Sequence, residues 1–97
     1  PPTLRLVLDL LKPHDPESPV LADRVAGLDG IEGVNAVLLE ADKRVENIKL
    51  TVEGSDVDPA EVEELLTGLG CSVHSVDEVA CGGRLVEESP TPQDFHT

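Results

Sequence analysis

The stretch LKPHDPESP, residues 11–19, sets His14 beside Asp15 and fences the pair between Pro13 and Pro16. Imidazole next to carboxylate suits a borderline divalent cation such as Zn²⁺, Mn²⁺ or Ni²⁺, whereas carboxylates and carbonyls alone would suit Ca²⁺ or Mg²⁺. His74, in CSVHSVDEVA, is the third candidate ligand. The competing interpretation is a stiff turn, in which His14 caps or is solvated and His74 is a polar strand residue at a contact between copies. Cys71 and Cys81 complete the chemistry-bearing set. An extended chain between them would hold the two sulfurs about 33 Å apart, beyond the reach of one disulfide.

On a regular strand Ser72, His74, Val76 and Glu78 share one side, and Cys71, Val73, Ser75 and Asp77 the other. Cys71 and His74 then cannot form a nucleophile–base pair, and His74 and Glu78, about 13 Å apart, cannot share one ion. Partners for His74 must come from the PHD loop or from another subunit. Cys81, with Arg84 as its one cationic neighbour in sequence, reads as a buried small hydrophobe. The chain carries no P-loop, dinucleotide fingerprint, G-x-S-x-G or HExxH, and no catalytic residue is expected.

The elements that must position these residues follow from periodicity. Leu4, Leu6, Leu8 and Leu10 alternate with Arg5, Val7 and Asp9, the pattern of a half-buried strand. Ser18-Pro19 starts a helix, with serine as the expected cap and Leu21, Val25 and Leu28 as its apolar face. GVNAVLLEA, residues 33–41, is apolar enough to predict a strand buried on much of both sides. NIKLTVEG follows with Ile48, Leu50 and Val52 facing in. Asp58-Pro59 opens a second helix, with Glu61 at the capping-box position and Val62, Leu65, Leu66 and Leu69 as its stripe. Residues 71–80 form a fourth strand, RLVEE after Gly82-Gly83 a short fifth element, and residues 89–97 a mobile tail. The order β-α-β-β-α-β predicts an α+β, ferredoxin-like domain over residues 1–88. Both helices cover one face of a four-stranded antiparallel sheet, and a short C-terminal extension follows. The first and last strands are then neighbours, which places the PHD loop near Cys71–His74. The other face is mixed, and Val7, Leu11 and the surplus apolar side chains of VNAVLL point to a subunit contact on it.

Twenty acidic against seven basic residues give a formal charge of −13. Such a surface repels nucleic acid and anionic membranes, and the sheet lacks the stacking aromatics that RNA recognition would need. It attracts cations and fits a salty cytoplasm, the halophilic reading, where screening removes most of the self-repulsion. No CxxC is present, and PPTLRLVLDLL is broken by Arg5 and Asp9, too short and too charged for a secretory signal or a span. A reducing cytoplasm is the expected location. Folding at this length buries roughly 60–65% of the unfolded surface, so a sizeable ligand cavity requires several copies around it.

LVLDLLKPHDP, GVNAVLLEADKRVENIKLTVEG, HSVDEV and the closing TPQD together resemble the archaeal domain-of-unknown-function 211 family, from about Leu4 to Asp94. The resemblance implies a cytosolic archaeal protein of ferredoxin-like fold that assembles into ring-like homo-oligomers, and it implies no reaction. A weaker likeness, carried by LDGIEGVNAVLLEADKRVENIKLTVEG, is to the heavy-metal-associated domains of metallochaperones. Those hold soft metal through a CxxC after the first strand, where this chain has KPHDPESP and no thiol. The expectation is a non-enzymatic homo-oligomeric binding module taking a divalent cation at His14, Asp15 and His74, or at an acidic subunit contact. The alternative is a regulatory small-molecule sensor with its ligand at a subunit interface.

Overall fold

The computed structural model describes residues 1–91. Its elements run β1 (Thr3–Pro13), α1 (Ser18–Ala26), β2 (Gly33–Ala41), β3 (Val45–Val57), α2 (Pro59–Gly68) and β4 (Ser72–Cys81). The strands form one antiparallel sheet in the order β2-β3-β1-β4, the expected ferredoxin-like arrangement. Leu6, Leu8 and Leu10 lie opposite Val52, Leu50 and Ile48 across the central pair. Leu21 and Val25 of α1 and Val62 and Leu66 of α2 close over them in a single aliphatic core. Each side chain so buried contributes roughly 1.5–3 kcal/mol of transfer free energy.

The helix starts differ from each other. Asp58 caps α2 as expected, its Oδ1 accepting from the N–H groups of Ala60 (3.0 Å) and Glu61 (3.4 Å). In α1 the cap position is Glu17, and Ser18 and Pro19 are already helical, so the expected serine cap is not formed. Proline at the second position still removes one orphan donor there.

Strand β3 runs on to Val57 because two glycines let the chain before β2 cross close to it. A Cβ on Gly54 would sit 1.9 Å from the Gly30 carbonyl oxygen, and one on Gly30, whose φ is +81°, would sit 2.1 Å from that of Asp56. The close approach is held by bonds from Asp56 N to Gly30 O (3.2 Å) and from Glu32 N to Glu53 O (2.8 Å).

Three expectations need correction. Strand β2 is not buried on both sides: Val37, Leu38 and Leu39 are 45%, 55% and 51% exposed, because β2 is an edge strand bonded only to β3. Strand β4 does not alternate regularly. Val73 pairs with Leu10 but Ser75 with Asp9, and Val76 pairs with Leu8 but Glu78 with Val7, leaving His74 and Asp77 as extra residues. These register shifts put Val73 and Val76 on the helix side and Ser75 and Glu78 on the other, an exchange that strict alternation cannot make. Finally, RLVEE forms no fifth element, neither helix nor strand; beyond Gly82, at φ +125°, the chain leaves the ladder. Ser89–Thr91 have no regular structure, and the rest of the expected tail, 92–97, lies outside the described residues.

Candidate functional site

The PHD loop is built around a residue that sequence chemistry passed over. Lys12 continues the period-two face of Leu6, Leu8 and Leu10, so its side chain enters the helix-covered side and is fully buried. A buried ammonium is tolerable only when its donors are used. Nζ donates to the carbonyl oxygens of Pro13 (2.8 Å) and Pro16 (2.7 Å) and to Glu46 Oε1 (2.8 Å). The prolines leave both carbonyls on one side of a tight connection, and Lys12 gathers them. Its hydrogen bond, with the charge behind it, holds the Glu46 carboxyl below the usual glutamate range.

His14 faces away from β4. Its Nε2 donates to the Asp42 carbonyl oxygen (2.9 Å), and its Nδ1 faces Glu46 Oε2 at 3.3 Å. Both partners sit at the β2–β3 connection, where Asp42 Oδ1 accepts from the N–H groups of Arg44 (2.7 Å) and Val45 (2.9 Å). The Val45 and Arg44 N–H groups hold the Asp42 carboxyl low. Asp15 is exposed beside a cis Asp15–Pro16 peptide.

The neighbourhood expected for the loop is present at its base. Leu11 pairs with Ser72, and Gly70 lies against Pro13. The two histidines are nonetheless not brought together: His14 is bonded at Asp42, beyond β1 towards β3, while His74 is the exposed extra residue at a register shift on the far edge. Among the described residues no group of three His, Cys, Asp or Glu side chains is placed to hold one ion.

The cysteines stand at opposite ends of β4, both as free thiols. Cys71 is buried, and desolvation pushes its thiol up against the smaller opposing pull of Lys12. Cys81 is exposed rather than buried, because β4 is an edge, and its Sγ lies 3.4 Å from Thr3 Oγ1.

On the open face of the sheet Arg5 gathers three carboxylates. Nε donates to Glu53 (2.7 Å), and Nη1 donates to Glu78 (3.2 Å) and Glu87 (2.7 Å). Bonds to Glu87, Glu53 and Glu78, in that order, push the guanidinium pKa up, and Arg5 holds the Glu87 carboxyl down. Further along the strands Asn47 donates to Asp9 and to the Leu10 carbonyl oxygen (3.0 Å). On the helix side an open groove of about 390 Å³ runs between Arg24 and Leu28 on one bank and Glu61, Glu64, Leu65 and Leu69 on the other. None of these arrangements contains a nucleophile with an adjacent base. No helix among the described residues is long and apolar enough to cross a membrane.

Sequence comparison agrees with the whole-chain resemblance. Uncharacterized protein MJ0319 of the archaeon Methanocaldococcus jannaschii is 46% identical over 92 residues, which is 95% of each chain. The family model described as uncharacterised ArCR proteins, domain of unknown function 211, matches residues 4–95. With the ferredoxin-like sheet and these two matches together, the chain belongs to the domain-of-unknown-function 211 family.

Proposed function

We propose that this chain is a small cytoplasmic, non-enzymatic binding module that works as a homo-oligomer and takes a divalent cation, without nucleic acid or membrane as partner. The observation that carries the reading is the pair of apolar edges. Val37, Leu38 and Leu39 are about half exposed on β2, and Val76 and Val79 are 55% and 53% exposed on β4. Exposed aliphatic runs at both free edges of one sheet are a liability that assembly removes. The surface charge of −13 supports a cationic ligand over an anionic one.

In this reading His14, Asp15 and His74 act as metal ligands across a contact between copies, since within one subunit His14 is bonded at the β2–β3 connection while His74 lies on the β4 edge. Native mass spectrometry of untagged protein, before and after a chelator, tests both parts. A high oligomer carrying stoichiometric, strippable metal is the expected result. An unchanged metal load in the His14→Ala/His74→Ala double variant would remove the histidines from the site, and a monomer would remove the assembly.

A second reading, a regulatory small-molecule sensor with its ligand at a subunit interface, is favoured by the open 390 Å³ groove, which a second copy could close and whose banks carry opposite charge. It expects thermal stabilisation by a metabolite and none by metal.

A further inference from the structure

We propose that the PHD loop is a cage for a primary ammonium, filled in the native chain by the Lys12 side chain, and that with this side chain removed it takes a free alkylammonium ion. The sequence makes the loop rich in acceptors. Residues 13–16 offer four carbonyl oxygens but only the N–H groups of His14 and Asp15, since proline has none. Such a surplus calls for a group with donors and no acceptor, which describes an ammonium. Nζ of Lys12 meets three oxygens, the carbonyls of Pro13 (2.8 Å) and Pro16 (2.7 Å) and the carboxylate of Glu46 (2.8 Å). These separations lie in the range of charge-assisted bonds, about 2.7–2.9 Å, so each donor has its acceptor.

None of the three acceptors belongs to the lysine side chain, so all remain when it is removed. The loop carbonyls are carried by the connection from β1 to α1, and Glu46 stands opposite Lys12 in β3. Lys12 is fully buried and Glu46 is 21% exposed, so the cage meets solvent on the Glu46 side. In Lys12→Ala three acceptors, one of them a full negative charge, lose their donors beside a void of four heavy atoms. n-Propylammonium carries those same four atoms, Cγ, Cδ, Cε and Nζ of the missing side chain. Lys12→Met instead leaves a methyl group one bond length from the cage centre, which shuts it. The cage uses neither the His14 nor the Asp15 side chain, so it stands apart from the divalent site proposed above.

Chemical denaturation of chelator-treated protein, in n-propylammonium chloride or in tetramethylammonium chloride at the same concentration, tests the cage. Tetramethylammonium has equal charge and no N–H donor. The folded-to-unfolded ratio of Lys12→Ala should be about tenfold higher in about 0.1 M propylammonium, the factor for a site with a dissociation constant of about 10 mM. Methylammonium, which leaves part of the apolar void unfilled, should do less at that concentration. The parent and Lys12→Met should show no difference between the salts. Equal ratios for Lys12→Ala in the two salts, or the same gain in the parent or in Lys12→Met, would overturn the cage. The parent supplies a second readout that does not depend on a variant folding. By NMR the Nζ protons of Lys12 should exchange with water far more slowly than those of the exposed Lys43 and Lys49. Exchange at Lys12 as fast as at the other two would equally overturn the cage. Failure of the divalent reading appears separately, as metal-free protein in native mass spectra with the propylammonium response intact.

Discussion

Lys12 and the two thiols show how much one position along a strand decides. Lys12 has its hydrophobic stem in the core and its three donors committed to Pro13, Pro16 and Glu46. Lys12→Ala should cost about 3 kcal/mol in chemical denaturation, with lost packing and three acceptors left without their donor. Lys12→Met, which keeps the stem, should cost less. Equal losses in the two variants would show that packing of the stem contributes nothing beyond the ammonium, and no loss in Lys12→Met would show the reverse. For the cysteines, burial raises the Cys71 pKa and removes access, while Cys81 is open on the edge. A thiol reagent should modify one cysteine quickly in the native protein and the second only on unfolding, and mapping the first to Cys71 would contradict this packing. Lys12 was legible in principle: the even positions Leu6, Leu8 and Leu10 run straight into it. The chemistry of imidazole and carboxylate as ligands carries no signal for the lysine that shapes their loop.

At the scale of elements, the apolar alternation of β1 and β3 and the proline-led helices were plain, because each has one buried face and one solvent face. What period two could not supply was the two register shifts in β4. An extra residue changes which side every later residue faces, and nothing local in HSVDEV marks His74 or Asp77 as the extra ones. The near-continuous apolar run of β2 misled for a related reason. Burial of an edge strand depends on what lies beyond the edge, which a single chain does not encode locally. The segment after β4 reads as a short fifth element because Leu85 and Val86 form an apolar pair between Arg84 and Glu87, yet it has no regular structure and Glu87 ties it to Arg5. That tether titrates with a definite sign. A carboxyl held below its ordinary value, near 4.5, contributes stability above that value and loses it as pH falls through the folded value. Order parameters at Val86–Glu88, measured by NMR, should therefore fall on acidification below about pH 4.5 in the parent and be low at every pH in Glu87→Gln. Residues 86–88 equally ordered at acid and neutral pH in the parent would contradict the tether.

For the molecule as a whole, charge and edges pull in opposite directions. In the proposed assembly, copies of formal charge −13 would repel one another, while Val37, Leu38 and Leu39 on one edge and Val76 and Val79 on the other would favour contact. Association should strengthen with salt, which screens the first term and leaves the second. Leu38→Asp should lower the oligomer mass in native spectra at any salt while leaving the circular-dichroism spectrum unchanged, and an unaltered mass would exclude the β2 edge from the contact. The pairing of Thr3 with Cys81, together with the Pro2–Gly82 bond, has a different consequence. It brings the start of β1 against the end of β4, as the Asp42–Val45 turn joins β2 to β3. A circular permutant closed between Gly82 and Pro2 and opened between Lys43 and Arg44 would run β3-α2-β4-β1-α1-β2. That is again strand-helix-strand twice over, so the fold behaves as two interchangeable halves, and either one can lead.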